Sequence, residues 1–332
     1  MFKKKIFINI LLILFIQICF CTTIWGQEIV WRVGGHFALE TPETIASKYF
    51  VELVKERTEG KMKIDFYPAE QLGASAEQLD NLKLGIQDAN INTIAWLREM
   101  HPAYNILGIL YLFNDNDHIR RFFETDEYKQ IENEVLENSG IRVIEKDWYC
   151  GPRVTLLVDP ATNIEDLKGR ILRMPASIPY VKGFEALGAS CTEIAWGEAY
   201  SALDSGIVDG MDSPFDSIYG MGFHRVAPYI LLTNHLQGNP QAVMVREESW
   251  QALPQNIKII VKEAAKEAGD YYRNLVNTNR DEKIRKMKDE GAVFVEVNIT
   301  SEILEKIREY WSDLEERDFV PKGLVKLVDD LK

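Results

Sequence analysis

The stretch Gly169-Arg170-Ile171-Leu172-Arg173-Met174-Pro175 reads as a short strand stopped by proline, with an arginine two residues before the stop. Proline has no N–H to give a sheet, so pairing ends there and the last side chains can point into a crevice. A guanidinium fork matches a carboxylate in geometry as well as charge. Arg173 is therefore the first candidate for fixing both the presence and the orientation of an organic acid. The plainer alternative is an arginine that solvates a face or pairs with a structural acid.

On either side of this stretch, strand and helix segments alternate. Residues 29–34 read as a strand. Thr41-Pro42-Glu43 reads as a helix start, with threonine as cap, proline in the first turn and an acid near the positive end of the dipole. Ile45, Tyr49 and Leu53 mark the apolar face expected for that helix. Met62, Ile64 and Phe66 alternate with Lys61, Lys63 and Asp65, the pattern of a half-buried strand. Ser75-Ala76-Glu77-Gln78 reads as a capping box whose helix Gly85 ends, and residues 90–95 as a further strand. Residues 117–138 are expected to be helical, 141–144 extended, 179–187 helical and 256–290 one long proline-free helical stretch. The βαβα order predicts an α/β fold with mostly parallel sheets, in which ligands sit beyond the carboxyl ends of strands. A length of 332 residues suggests two domains. No flexible linker separates them, so short hinge strands and a cleft are expected.

The start, Met1-Phe2-Lys3-Lys4-Lys5 and an apolar run from Ile6 to Phe20, reads as a secretory signal peptide over residues 1–27. A retained anchor, or a lipid anchor at Cys19 or Cys21, is the alternative. Export removes Lys3, Lys4 and Lys5 from the 38 basic side chains and none of the 51 acidic ones, leaving a net charge of −16. Such a charge argues against nucleic acid and anionic membrane surfaces as partners. It also repels anions in bulk, so an acid must be captured by a local cationic site. Cys150 and Cys191 then remain, and a disulfide between them is permitted but not dictated. The sequence contains no Gly-x-Ser-x-Gly elbow, His-Glu-x-x-His helix, Walker loop or Rossmann glycine fingerprint. Its histidines (His36, His101, His118, His224, His235) lack metal-ligand spacing. Neither enzyme chemistry nor a metal or cofactor is expected.

Several stretches, taken in order, carry a resemblance: Tyr67-Pro68-Ala69-Glu70-Gln71-Leu72-Gly73, Leu82-Lys83-Leu84-Gly85 with Asp88, and residues 164–173. Ala186-Leu187-Gly188-Ala189, Gly197-Glu198-Ala199-Tyr200, Gly206-Ile207-Val208-Asp209-Gly210 and Thr233-Asn234-His235 follow. The chain resembles, over essentially all of its mature length, the periplasmic solute receptors of tripartite ATP-independent periplasmic (TRAP) transporters, of the dicarboxylate-receptor type. The resemblance implies two α/β lobes, joined by hinge strands and a long C-terminal helix, that close around one acid. Lobe one would take residues 28–150 and 239–278, and lobe two residues 151–238 and 279–332. It implies a monomer that captures an organic acid and delivers it to TRAP permease membrane subunits.

By the same resemblance the carboxylate-clamping arginine falls on Arg173, a second arginine on Arg153 and the covering aromatic on Trp196. Where many members read Asp-Gly-Gln-Glu-Asn-Pro, this chain reads Asp209-Gly210-Met211-Asp212-Ser213-Pro214, so Ser213 replaces a ligand-contacting asparagine. Polar contacts of sialic-acid-binding relatives fall near His36, Thr93 and Trp96. Trp96 adds apolar surface there, which favours an acid smaller or less hydroxylated than a sialic acid. Asp212, as a partner for Arg153, and Trp148, as a cleft aromatic, complete the candidate ligand-binding set; Glu198 is expected to cap a helix. Two alternatives are a same-fold receptor for an apolar or lipid-like ligand, with Trp96, Trp148 and Trp196 lining the cleft, and a receptor that reports to a signalling partner.

Overall fold

The computed structural model describes residues 28–237 and 240–332; the expected signal peptide lies outside the described residues. One sheet has five strands: β1 (Ile29–Gly35), β2 (Met62–Tyr67), β3 (Ala89–Thr93), β4 (Ile141–Trp148) and β10 (Gln241–Arg246), in the order β2-β1-β3-β10-β4. The other has six: β5 (Arg153–Leu157), β6 (Ile171–Met174), β7 (Ser190–Glu193), β8 (Gly210–Pro214), β9 (Tyr229–Leu236) and β11 (Val293–Val295), in the order β11-β9-β5-β8-β6-β7. Parallel pairings predominate as expected, and every antiparallel pairing involves β5 or β10. These are the strands that the chain enters immediately after crossing between sheets. The crossings lie side by side, because Trp148 pairs with Gln241 and Arg153 with Leu236.

Helix α1 (Pro42–Arg57) starts as its sequence predicts, with Thr41 Oγ1 accepting the Thr44 N–H at 3.4 Å. Its buried face runs through Ala46, Phe50, Leu53 and Val54, whereas Ile45 is 38% exposed. The expected stripe was thus rotated, because the small residues Ala46 and Ser47, not the larger Ile45, face the neighbouring elements. Helix α2 (Ser75–Leu84) ends at Gly85 in the left-handed region, φ 71°. Its cap is Ala74 and no side chain caps it, so the expected box is not formed. Gln78 instead donates to the Gly73 carbonyl and accepts from Asn90, both at 2.7 Å. The helix expected over 117–138 is two, α3 (Asn116–Phe123) and α4 (Asp126–Ser139), because Asp115 and Thr125 each cap a separate helix.

Helices α5 (Ile178–Ala186), α6 (Ala199–Asp204), α7 (Phe215–Gly220) and α8 (Glu247–Gln251) precede α9 (Gln255–Asp289), an unbroken helix of 35 residues. At 1.5 Å per residue it is about 50 Å long, enough to span both sheets. It packs on α1 and β4 in one half and on α7 in the other. Tyr272 donates to Glu43 at 2.9 Å and Lys283 pairs with Asp216, so α9 ties α1 to α7. Helices α10 (Ser301–Glu316) and α11 (Leu324–Asp329) close the chain. Trp311 donates to the Leu110 carbonyl at 3.0 Å while α10 packs on α5, so the C-terminal residues contact elements on both sides of the crossings. No disulfide joins Cys150 to Cys191, so the permitted bridge is not formed.

Candidate ligand-binding site

A cavity lies between the two sheets, open to solvent on one side. Its walls follow from strand direction. His36 and Phe37 follow β1, Thr93 ends β3, Arg173 and Pro175 close β6, Trp196 follows β7 and Pro214 ends β8. β5 and β10 run antiparallel to β8 and β3, so their first residues, Arg153 and Gln241, reach the same rim.

Arg173 sits in register between Thr192 of β7 and Met211 of β8. Its Nε donates to the Ile194 carbonyl at 2.8 Å, which sets the plane of the guanidinium. The residue is only 3% exposed, its guanidinium carbon lies 5.6 Å from the Trp196 ring centroid, and no carboxylate among the described residues pairs with it. Burial pushes its pKa down to about 10; Asp212 opposes that and Arg153 adds to it. The side chain stays charged at neutral pH, a buried cation with hydrogen-bond donors to spare.

Arg153 is satisfied in a different way. Its Nε donates to Asp212 Oδ2 at 2.5 Å and its Nη2 to the Asp212 carbonyl at 3.1 Å. Burial opposes the charge on Arg153, but the Asp212 carboxylate overrides it and raises the pKa. Burial equally opposes the charge on Asp212, and Arg153 then holds that carboxyl well below the usual range. His235 Nε2 lies 3.3 Å from Asp212 Oδ2, and its Nδ1 lies 2.8 Å from Thr233 Oγ1. Burial lowers the His235 pKa, so the ring is neutral at physiological pH. An ionised carboxylate can only accept, so Nε2 carries the proton and Nδ1 accepts from the threonine.

His36 is 7% exposed, and burial together with the charges of Arg153 and Arg173 pushes its pKa down to about 3. It presents a neutral ring, with buried Nδ1 lacking a hydrogen-bond partner. Trp196 Nε1 and Ser217 Oγ are likewise buried without partners. Trp96 lies under the Arg98 guanidinium at 4.0 Å. Arg98 reaches across the cleft to the Ala176 carbonyl through Nε at 3.2 Å and Nη2 at 2.8 Å. Thr93 Oγ1 accepts from Gln241 Nε2 at 3.1 Å.

Of the residues singled out from sequence, Arg173, Arg153, Trp196, Trp96, His36 and Thr93 line this cavity together. Asp212 stands behind the wall, gripping Arg153. Ser213 is fully buried beside the lining residue Pro214, with its Oγ unpartnered. Trp148 corrects the expectation: it is fully buried away from the cavity, donates to the Ala265 carbonyl at 2.9 Å and packs on Tyr272. Gly269 on α9 makes room for it, since a Cβ there would lie 2.5 Å from Trp148 Cδ1. The apolar alternative thereby loses one of its three tryptophans. Glu198 stands at the cap position of α6 but makes no side-chain capping bond. Arg98, Tyr180, Gln241, Ser217 and Cys150 also line the cavity and were not singled out. Arg98 carried a usable signal, an arginine two residues beyond Trp96 on the turn leaving β3.

A family model described as bacterial extracellular solute-binding protein, family 7, matches residues 34–318. The chain is 31% identical over 278 residues to the sialic acid-binding periplasmic protein SiaP of Vibrio cholerae, a match covering 84% of each chain. Among solved structures, a TRAP periplasmic solute-binding protein from Roseobacter denitrificans with bound L-galactonate is similar at TM-score 0.81 and 25% identity, over 92% of this chain and 99% of the other. A second, from Sulfitobacter with bound β-D-galacturonate, matches at TM-score 0.83 and 23% identity over 91% and 99%. At that identity the second likeness speaks for the fold alone.

Proposed function

The chain belongs to family 7 of the bacterial extracellular solute-binding proteins, and on that premise we propose that it captures an organic acid in the cleft and hands it to a TRAP permease. The observation that carries the acid is the buried Arg173 guanidinium, which is charged, fixed in plane by Ile194 and without a carboxylate partner among the described residues. A carboxylate placed there gains charge-assisted hydrogen bonds in a water-poor site, which is how a protein of strongly negative net charge can hold an anion. Arg153, fixed by Asp212, adds a second positive wall, and Trp196 covers the clamp. The relative that binds L-galactonate supports an acid as the ligand.

The work is done in the periplasm, after removal of residues 1–27. Residues 28–150 with 239–278 form one lobe and residues 151–238 with 279–332 the other, and they close on the two hinge crossings. The closed pair presents one continuous face to the membrane subunits. A thermal-shift screen of mono- and dicarboxylates, keto acids and uronates identifies the ligand; a hundredfold excess over Kd adds about 2.7 kcal/mol of stability. Calorimetry then compares wild type with Arg173→Ala and Arg173→Lys. Both folded variants are expected to lose binding, the lysine variant because an ammonium lacks the fork. Unchanged affinity in folded Arg173→Ala contradicts the reading.

A further inference from the structure

We infer that the cavity is built for an acid with a single negative charge and several hydroxyl groups, and discriminates against dianions; this rests on the organic-acid reading of the same site. Three arginines line the cavity, and charge alone invites a ligand with two anionic ends. Counting donors leads elsewhere. Arg153 is bound to Asp212 through its Nε and to the Asp212 carbonyl through Nη2. Arg98 gives Nε and Nη2 to Ala176 and Nη1 to the Ala95 carbonyl, three of its five N–H groups, and Glu99 lies 3.6 Å from its Nε. Arg173 gives only its Nε, to Ile194, and makes no ion pair among the described residues. Each of the other two cations already has a carboxylate beside it, so a second anionic group would meet no unpaired cation of the cavity lining among the described residues.

What the cavity leaves open besides Arg173 is neutral. His36 Nδ1, Trp196 Nε1 and Ser217 Oγ are buried and unpartnered, on elements around the cavity that include both sheets. A neutral imidazole, an indole N–H and a hydroxyl suit hydroxyl groups, which can donate to one neighbour and accept from another. An indole N–H can only donate, so it discriminates less between a hydroxyl and a carboxylate. Ser217 can likewise donate to either, whereas an unprotonated His36 Nδ1 accepts and so takes a hydroxyl but not a carboxylate. An alkyl chain would leave all three atoms without partners, which native sites avoid.

The test is calorimetry on the full mature protein with matched probes. Each of the C6 aldonates gluconate and galactonate is paired with its aldarate, glucarate or galactarate, which differs in carrying a carboxylate where the aldonate has its terminal hydroxymethyl group. Glucuronate, hexanoate, succinate and sn-glycerol 3-phosphate complete the set. The best aldonate or uronate is expected to bind at least roughly 100-fold tighter than any dianion, with hexanoate weaker by a similar factor or undetectable. Trp196→Phe and Ser217→Ala should each cost roughly 10-fold or more for that ligand. An aldarate, succinate or glycerol phosphate binding as tightly as the best hydroxylated monoanion overturns the inference and leaves the organic-acid reading standing. Equal affinity for hexanoate also overturns it. If no acid of any kind binds, the organic-acid reading itself falls and takes this inference with it.

Discussion

Replacing Glu43 by glutamine removes a buried charge that the fold accommodates poorly. Glu43 lies in the first turn of α1, 2% exposed, with one carboxylate oxygen bound by Tyr272 of α9 and the other unpartnered. Burial raises its pKa from the ordinary 4.5 to about 7, and the Asp216 carboxylate on α7 adds to the effect. At 1.36 kcal/mol per pKa unit, ionising it in the folded protein costs about 3 kcal/mol relative to the unfolded chain. The native state holds this proton more tightly, so stability is lost as pH rises from the unfolded value through the folded one. His36 acts with the opposite sign. Its folded pKa of about 3 lies below the ordinary 6.5, so its contribution grows as pH rises across that interval. The wild-type curve mixes both, whereas the difference between wild type and Glu43→Gln isolates Glu43, because glutamine keeps an acceptor for Tyr272 and cannot ionise. Urea unfolding followed by tryptophan fluorescence should give coincident stabilities near pH 4.5. By pH 8 the variant should be more stable by about 3 kcal/mol. A difference that does not change with pH would refute the reasoning.

Asp212→Ala leaves Arg153 buried without its counter-ion and should cost about 3–5 kcal/mol in urea unfolding; an unchanged midpoint would mean that solvent reaches the pair. Gly269→Ala places a Cβ against Trp148 and should destabilise by about 1–3 kcal/mol, more than the roughly 1 kcal/mol that alanine adds to a helix. A net gain in stability would show that α9 is seated more loosely than its contacts indicate.

The alternation of strands and helices was legible because the period of apolar residues changes with the element. The strand-end arginine was legible because proline at 175 has one local meaning. The rotated face of α1 was not, because Ile45 and Ala46 are both apolar and only the neighbouring sheet decides which one is covered. Nor was the break between α3 and α4, where Thr125 competes with helix continuation by capping a new helix. Tryptophans carry the same ambiguity at the site. Trp96 and Trp196 line the cavity while Trp148 fills the core against α9, and composition around them does not distinguish the two fates. Arg98 acts through a carbonyl on the opposite side of the cleft, a partner 78 residues away that no local pattern announces.

The most direct measurement is a crystal structure of the mature protein with the tightest-binding acid from the screen. The proposal places the ligand carboxylate on Arg173, with oxygen-to-nitrogen distances of about 2.8 Å to its guanidinium and the Trp196 ring over it. A carboxylate held elsewhere in the cleft, with Arg173 bound only to Ile194, would contradict it.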